Sequence, residues 1–320
     1  MEDYPRTLLE LEKWFSSEEA CREYLEALRW PRGFVCPRCQ AREYWMGSRS
    51  RKICIGCGYQ ATVTAGTIFE KTRMPLMLWI RAIWWVTSQK NGVSALGLQR
   101  VLGLGSYETA WTCLHKLRHA MVRPGRDKLS GRVEVDETYL GGLEEGVRGR
   151  KTEKKALIAV GAEEKGKGIG RIRMCRIKDA SAASLHPFIV NNIESDSVIH
   201  TDGWEGYRGL DKQDYSHKVT VLRGRKESAS ELLPRVHRVV SLLKRWLMGT
   251  HQGAVSHEYL DYYLDEFTFR FNRRNSRHRG KLFYRLLQQA VSVEPMTYGR
   301  LVKHKRQPKP NSTTCSTNWS

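Results

Sequence analysis

Two stretches of the sequence each end an apolar run with an aspartate followed by a glycine turn. The first is Arg132-Val-Glu-Val-Asp-Glu-Thr-Tyr-Leu-Gly-Gly142, whose alternating valines predict a short half-buried strand with Glu134 and Asp136 on its other face. Gly141-Gly142 is expected to end this strand. The second is Asp196-Ser-Val-Ile-His-Thr-Asp-Gly203, which delivers Asp202 in the same way. If the two strands are neighbours in one sheet, their carboxylates meet, and paired carboxylates hold hard divalent ions such as magnesium. Two such ions can clamp the attacking and leaving oxygens of a phosphoryl transfer.

A helix predicted from about residue 232 to residue 247 carries the third candidate group. Pro234 suits its first turn. His237 and Lys244 lie off its apolar stripe and are seven positions apart, so they share one face of the helix at a spacing of two turns. An imidazole can ligate a metal or relay a proton, although magnesium favours oxygen ligands. A lysine on the same face suits a contact with phosphate.

Four cysteines form two close pairs, Cys36-Pro-Arg-Cys39 and Cys54-Ile-Gly-Cys57. A tight turn of this kind places two thiolates on one ion, and a tetrahedral zinc ion takes four such ligands. Strand-like stretches lie between and after the pairs, at residues 43–46 and 59–64, and complete the pattern of a zinc ribbon. Because all four positions are cysteines, no position is open to a substrate, and the zinc is predicted to be structural.

Residues 131–293 have the element order of a ribonuclease-H-like fold. The Asp136 strand and the strands predicted at 156–161 and 170–177 form an antiparallel meander. A helix from about residue 181 then precedes the Asp202 strand, and a helix between two strands favours a parallel pairing. A fifth strand and the His237 helix follow. The predicted fold class is therefore α/β, with a mixed five-stranded sheet and helices as the catalytic core.

The stretch between the zinc ribbon and this core is predicted to be helical. Pro75 can open a helix over Leu76–Thr87, which is apolar nearly all round and should be buried. A helix over Val93–Leu102, the turn Gly103-Leu-Gly105 and a basic helix from about Ser106 then give a helix-turn-helix pattern. An ordinary helical packing domain is the alternative. The basic side chains of the last helix are His115, Lys116, Arg118 and His119.

The composition indicates a polyanionic partner. The net charge is +20 and the pI is near 9.8, for which nucleic acid is the usual partner and a membrane surface the alternative. The basic stretch from Arg270 to Lys309 favours contact with the phosphate backbone. The N-terminus lacks the apolar run of a signal peptide, and the most apolar stretch, Met74 to Val86, is too short for a membrane span. A cytoplasmic protein is expected.

With these motifs, the chain resembles the transposases of bacterial insertion sequences in the DDE superfamily, in the zinc-ribbon branch related to eukaryotic Merlin elements. The similarity covers about residues 15–292 and rests on three features. These are Asp136-Glu-Thr-Tyr-Leu-Gly-Gly142, Thr201-Asp-Gly-Trp-Glu-Gly-Tyr207, and Ser241-Leu-Leu-Lys-Arg-Trp-Leu-Met-Gly-Thr250 followed by Tyr263-Leu-Asp-Glu-Phe-Thr-Phe-Arg-Phe-Asn272. The resemblance implies a ribonuclease-H-like core that cuts and joins DNA with two divalent ions, and an N-terminal DNA-binding part.

The resemblance also implies roles for single residues. Asp136 and Asp202 match the first two acidic ligands of the family. The third position falls on His237, four residues before Ser241, where this branch accepts Glu, Asn or His. Lys244 matches the lysine expected seven residues later. The implied cofactors are Mg²⁺ or Mn²⁺ at the two aspartates and His237, in addition to the structural Zn²⁺ at the four cysteines.

Several points stay open at this level. Glu227 and Glu231 are nearby carboxylates that could replace His237 as the third ligand. The implied partners are the terminal repeats of the element and target DNA. A homodimer or larger assembly is expected, because two ends must be paired, with the protein at the bacterial nucleoid. The rival functions are a ribonuclease-H-like nuclease without strand transfer, and a catalytically inactive zinc-ribbon DNA-binding regulator.

The predicted organisation has five parts. They are an N-terminal helical segment (1–33), the zinc ribbon (34–70), a helix-turn-helix-like DNA-binding domain (71–125), the ribonuclease-H-like transposase core (130–293) and a basic, disordered tail (294–320).

Overall fold

The structure, a computed structural model, describes residues 3–123, 125–141, 155–221, 229–253 and 255–303. It divides into two compact units, one formed by the chain up to Arg123 together with the stretch from Asn275, and the other by the segment from Pro124 to Arg274. The predicted domain boundaries stay predictions. The two units group residues 275–293 with the zinc ribbon rather than with the sheet that carries the aspartates.

The elements of the described residues are numbered along the chain. The helices are α1 (Leu8–Trp14), α2 (Glu18–Arg29), α3 (Leu76–Ser88), α4 (Ala95–Leu102), α5 (Tyr107–Ala120), α6 (Ala182–Asn192), α7 (Ala229–Leu232), α8 (Pro234–His251), α9 (Leu260–Asn272), α10 (Arg279–Ala290) and α11 (Tyr298–Lys303). The strands are β1 (Tyr44–Gly47), β2 (Arg51–Cys54), β3 (Gln60–Ala61), β4 (Arg132–Leu140), β5 (Ala156–Lys165), β6 (Gly168–Ile177), β7 (Val198–Thr201) and β8 (Ser216–Val219).

The first unit follows its local sequence signals. The side chain of Ser17 accepts the N–H of Ala20 over 3.2 Å and so begins α2. Pro75 stands directly before α3, and most residues of that helix are buried, as its nearly continuous apolar sequence predicts. Strands β1, β2 and β3 form a small antiparallel sheet, which is the ribbon.

The basic residues of α5 are buried, which corrects one expectation. Gly103, with φ of 61°, ends α4 and turns the chain into α5, so the helix-turn-helix-like arrangement is present. His115, Lys116 and Arg118, however, are only 0%, 6% and 2% exposed. Helix α5 packs against α3, α4, α10 and α11, and the long alkyl stems of lysine and arginine pack well in such surroundings. These three side chains therefore do not form the DNA-facing surface that their charge suggested.

The second unit contains a five-stranded sheet in the order β6-β5-β4-β7-β8. Strands β4, β5 and β6 form an antiparallel meander, β7 runs parallel to β4, and β8 runs parallel to β7. Helix α6 supplies the crossover that the parallel pairing of β4 with β7 requires. This mixed sheet with its helices confirms the fold class predicted from the order of the elements.

Each face of the sheet is covered by helices. On one face, α8 and α9 bury Leu140 of β4 in a core that includes Val236 and Leu243. On the other face, α6 packs over Val133 and Val135, both fully buried. Side chains along a strand point alternately to its two faces, so Val133 and Val135 face α6 while Glu134 and Asp136 face α8.

Strand β4 continues beyond Asp136. It pairs with β5 from Val133 to Leu140, whereas its parallel pairing with β7 ends at Glu134. Asp136 therefore lies within the strand on the β5 side and just beyond the end of the pairing on the β7 side. Asp136 was expected at the C-terminal end of its strand and instead lies within it, because Thr138-Tyr-Leu140 continues the ladder with β5. The strand ends at Leu140, directly before the glycine that was expected to end it.

Three further expectations concern less regular parts of the chain. The tail predicted to be disordered from residue 294 contains α11, in which Leu301 is fully buried. Residues 304–320, the predicted charged loop up to residue 154 and the predicted basic loop at 223–226 lie outside the described residues. Among the helices that the structure describes, none combines the length and the apolarity needed to cross a membrane.

Candidate active site and metal-binding residues

The four ribbon cysteines meet at one point of the first unit. Cys36 and Cys39 lie in the turn before β1, Cys54 ends β2, and Cys57 lies in the turn before β3. Their Sγ atoms all lie within 4.8 Å of one another, with 3.6 Å between Cys36 and Cys57 and 3.5 Å between Cys39 and Cys54. Four sulfurs at about 2.3 Å from one tetrahedral zinc ion would be about 3.8 Å apart, so the cluster fits zinc.

The chemistry of Cys36 also suits a metal ligand. Burial acts to raise the pKa of its thiol, but the N–H groups of Cys39 and Arg38 and the neighbouring thiols of Cys57 and Cys39 lower that pKa to about 6. The thiolate is the form that binds metal, so the ribbon presents Cys36 in a state ready for coordination.

Asp136 and Asp202 are brought together by the parallel pairing of β4 with β7. Glu134 and His200 are the last pair of this register, and each aspartate lies two positions farther along its own segment. Residues two apart in extended chain point to the same face, so both carboxylates are placed on the α8 side at the end of this pairing. The structure thus joins the two aspartates that the sequence predicted to be neighbours.

A compact turn holds Asp202 in place. Its Oδ1 accepts the N–H of Trp204 over 3.0 Å, and the indole of Trp204 donates to the carbonyl oxygen of Ala180 over 2.7 Å. Gly203 has φ of 84°, a conformation that favours glycine. A side chain at Gly206 would collide with the Ala180 carbonyl oxygen. The glycines and tryptophan of Thr201-Asp-Gly-Trp-Glu-Gly-Tyr207 are therefore explained by packing around the aspartate.

His237 reaches the aspartates from the second turn of α8. Its Nε2 lies 3.6 Å from Asp136 Oδ2, and the side chain is half-buried. Burial lowers the pKa of His237, and Lys244 lowers it too, against the opposing fields of Glu134 and Asp202. The imidazole is therefore biased towards its neutral form, which is the form that can offer a nitrogen to a metal ion.

Lys244 is exposed on the same side of α8 and lines a cavity of about 910 Å³. The cavity is bounded by the end of β4, from Glu137 to Gly141, and by Leu247 and Met248 of α8. A lysine at the rim of a cavity that begins beside Asp136 can contact a phosphate group bound near the aspartates.

Two carboxylates near the aspartates were missed by the sequence analysis. Glu137 Oε2 accepts the hydroxyl proton of the fully buried Tyr207 over 2.7 Å. Burial, and then the charge of Glu137, raises the pKa of Tyr207, and Asp136 and Asp202 act in the same direction. Tyr207 thus donates a hydrogen bond beside all three acids. No local pattern indicated this contact, since Tyr207 lies 70 residues from Glu137.

Glu134 is the second missed residue, and it is only 3% exposed. Its carboxylate accepts hydrogen bonds from the backbone of Arg235 and Val236 and from the Arg235 guanidinium. A glutamate at a core-facing position two residues before Asp136 was the available signal. From sequence alone, Glu134 was predicted only to lie on the strand, with no role of its own.

A divalent ion fits the donor set at this site. Asp136 and Asp202 offer the oxygens that Mg²⁺ and Mn²⁺ prefer, and His237 offers a nitrogen that Mn²⁺ accepts more readily. In the described residues, the ribbon cysteines form the only group of three or more ligands within 4.8 Å. The ligand atoms of Asp136, Asp202 and His237 are therefore not all as close to one another as the four sulfurs are.

The alternative third ligands are placed less favourably or lie outside the described residues. Glu231 is exposed on the short helix α7, before α8 begins. Glu227 is outside the described part of the chain. His237 is the one of the three for which the structure gives a short separation from Asp136.

Comparisons with known proteins agree with this arrangement. Residues 128–272 match the sequence profile of the ISXO2-like transposase domain, and residues 16–60 match that of a transposase zinc-ribbon domain. The first region contains the aspartates and His237, and the second contains the four cysteines. The chain is also 27% identical over 276 residues to an uncharacterized protein in transposable element ISH50 of Halobacterium salinarum, covering 81% of this chain and 92% of that protein.

Proposed function

The chain belongs to the insertion-sequence transposases of the DDE superfamily that combine an ISXO2-like transposase domain with a zinc ribbon, and we propose that it cuts the ends of its element and joins them to target DNA. One observation carries the proposal. Asp136 and Asp202 each lie two residues beyond the last pair of β4 with β7, and His237 Nε2 is 3.6 Å from Asp136 Oδ2. A phosphoryl-transfer site needs such a set of divalent-ion ligands.

The chain's own residues divide the work of binding and positioning. Asp136 and Asp202 would hold the divalent ions, with His237 as the third ligand. When bound, these ions lower the pKa of the attacking water or hydroxyl and neutralise charge that develops on the phosphate. Lys244, exposed at the cavity rim, would bind a phosphate of the DNA strand and keep the scissile bond in line. Tyr207 would restrain Glu137 beside the aspartates through its hydrogen bond.

The same residues serve two successive displacements. In the first, water attacks the phosphate at the element's end and leaves a free 3′ hydroxyl. In the second, that hydroxyl attacks a phosphate of target DNA, and the target strand's own 3′ oxygen leaves. The first reaction hydrolyses a phosphodiester bond and leaves a 5′ phosphate on the flanking DNA, and the second forms one phosphodiester bond as it breaks another. Both are in-line displacements at phosphorus, so one ligand set is sufficient.

DNA is the proposed partner of both units. The net charge of +20 supplies the general attraction to phosphate, and the ribbon adds a zinc-stabilised module to the first unit. We propose a dimer or larger assembly on DNA, because two element ends must be paired and Asp136 and Asp202 would form a single site in each chain. The protein is accordingly expected where the chromosomal DNA lies.

Strand transfer of a labelled, pre-cut element end into plasmid DNA tests the proposal. The assay compares the native chain with Asp136→Ala and His237→Ala in Mg²⁺ and in Mn²⁺, and end binding is measured in parallel by gel shift. We expect joining by the native chain only. An uncut end is assayed beside the pre-cut one: cleavage of the uncut end without joining of the pre-cut end would favour the nuclease. Binding with neither reaction in either ion would favour the inactive regulator.

A further inference from the structure

Helix α8 begins without a capping residue of its own. Leu233 occupies the N-cap position, and its side chain accepts no hydrogen bond there. Pro234 follows at the first helical position and has no N–H to satisfy. The N–H of His237 already bonds to the carbonyl of Leu233 over 3.3 Å. The N–H groups of Arg235 and Val236 are therefore the two for which the first turn must find acceptors.

Glu134, from strand β4, accepts both of these N–H groups. Its Oε2 lies 2.7 Å from the nitrogen of Arg235 and 2.9 Å from that of Val236. Serine or aspartate at an N-cap bonds the same second and third positions of a helix. Here the cap comes from about a hundred residues earlier in the chain. A negative charge at a helix N-terminus is also favoured by the helix dipole.

The guanidinium of Arg235 adds a second attachment of the same turn to the sheet. Its Nη1 lies 2.8 Å from Glu134 Oε1, and its Nη2 lies 2.9 Å from Glu164 Oε1. The same side chain donates to the carbonyl oxygen of Gly166, in the turn between β5 and β6, and to that of Gly168, the first residue of β6. The start of α8 is thus fixed to three strands at once.

Glu134 lies between the two groups whose separation matters. Asp136 follows it by two residues on the same face of β4, and His237 follows Val236 directly in α8. Any shift of the first turn of α8 along the sheet would therefore change the 3.6 Å separation between His237 Nε2 and Asp136 Oδ2. The Glu134 carboxylate is only 3% exposed, so leaving its charge unpaired would be costly. The contacts between Glu134 and the start of α8 are therefore not easily broken.

We propose that Glu134 is a positioning residue that caps α8 from β4 and so sets the spacing between His237 and Asp136 for a divalent ion. The proposal rests on the proposed function for the identity of the metal site, and it assigns Glu134 no contact with the ion or with DNA. Residues that orient metal ligands typically change affinity or activity by about 10- to 100-fold when they are replaced.

Glu163 provides a matched control in the same sheet. It is 8% exposed, accepts the N–H groups of Ser130 and Arg171 over 2.9 and 2.8 Å, and pairs with the Arg171 side chain. These contacts resemble those of Glu134, but they do not involve α8. Glu163→Gln should therefore reproduce the general cost of neutralising a buried, paired carboxylate while leaving the start of α8 in place.

The test is a titration of the full chain with Mn²⁺, in which electron paramagnetic resonance measures the concentration of free ion. This measurement of binding does not depend on turnover. Asp136→Ala defines the signal that belongs to the aspartates. We expect Glu134→Gln to weaken this binding by about 10- to 100-fold, and Glu163→Gln to leave it within about twofold of the native value. Hydrogen exchange at the amides of Arg235 and Val236 should accelerate in Glu134→Gln alone.

Either of two results would overturn the inference. One is native Mn²⁺ affinity in a folded Glu134→Gln variant, and the other is an equal loss in Glu163→Gln. Glu134→Asp keeps the charge on a shorter side chain and is the second variant, for use if Glu134→Gln does not fold. A positioning role predicts that Glu134→Asp also binds Mn²⁺ more weakly than the native chain. A native chain that binds Mn²⁺ but never joins DNA ends would refute the proposed function. The role of Glu134 would still be decided by the Mn²⁺ titration of its variants.

Discussion

The hydroxyl of Tyr207 donates to Glu137 Oε2 over 2.7 Å and ties the segment after β7 to strand β4. Glu137 directly follows Asp136, and Tyr207 ends the turn that begins at Asp202. The bond therefore joins the two backbone segments that carry the aspartates. Because Tyr207 is fully buried, its hydroxyl cannot exchange this partner for bulk water.

Removal of this hydroxyl should disturb the site more than the fold. We expect Tyr207→Phe to lower the free energy of unfolding by about 1–2 kcal/mol, the usual cost of a lost buried hydrogen bond. We also expect it to slow strand transfer about tenfold, because Glu137 and its neighbour Asp136 lose a restraint. Thermal unfolding and joining rates measure the two effects.

Tyr215→Phe is the control for that prediction. Tyr215 is also buried, and its hydroxyl donates to the carbonyl of Ile193 over 3.1 Å in the same unit. Its removal should cost a similar amount of stability without changing the rate of joining. Equal loss of rate in both variants would mean that the Tyr207 contact acts only through stability.

His237 can be tested against the carboxylate that competes with it. We expect His237→Ala to reduce joining by about 100-fold or more, which exceeds the usual loss for residues that only orient a ligand. Glu231→Ala should stay near the native rate. His237→Glu should favour Mg²⁺ over Mn²⁺ relative to the native chain, because it replaces a nitrogen ligand with oxygen. The reverse pattern, with Glu231 essential and His237 dispensable, would transfer the third position to Glu231.

Lys244 should act through phosphate. Lys244→Ala is expected to weaken binding of the element's end and to reduce the slope of log affinity against log salt by about 1. Lys244→Arg, which keeps the charge, should recover most of the binding. Lys212 is an exposed lysine in the same unit, and Lys212→Ala is the control, which should keep the native salt slope. An unchanged salt slope in Lys244→Ala would argue against a phosphate contact.

The ribbon should depend on its metal. We expect about one tightly bound zinc per native chain and none in Cys54→Ser, because loss of one thiolate opens the tetrahedral site. End binding should fall with the zinc content. Cys175→Ser, which changes a half-buried thiol of the second unit, should keep both. Zinc retained in a folded Cys54→Ser variant would contradict the four-cysteine site.

The parts of the fold and site that sequence could predict are those set by local chemistry. The spacing of the cysteine pairs predicted the ribbon, and apolar runs before glycine predicted the strands that carry Asp136 and Asp202. Pro234 marked the start of α8. In each case the signal and the structure lie within a few residues of each other, so tertiary contacts were not needed to interpret the pattern.

The parts that sequence missed depend on distant contacts. Lys116 and Arg118 looked like surface charge, and only the packing of four other helices around α5 shows that they are buried. Glu134 resembled an ordinary strand residue, because its partners in α8 lie about a hundred positions away. The contact between Tyr207 and Glu137 depends on the register of β4 against β7, which no single stretch encodes.

The central claim is that Asp136 and Asp202 serve one catalytic site, and a double-mutant cycle tests it most directly. Strand-transfer rates would be measured in Mg²⁺ for the native chain, Asp136→Asn, Asp202→Asn and the double variant, with end binding as the control for folding. Residues that act as a unit show strongly non-additive effects, so we predict that each single change costs as much as both together. Losses that multiply in the double variant, or a single variant that joins DNA at the native rate, would contradict the account.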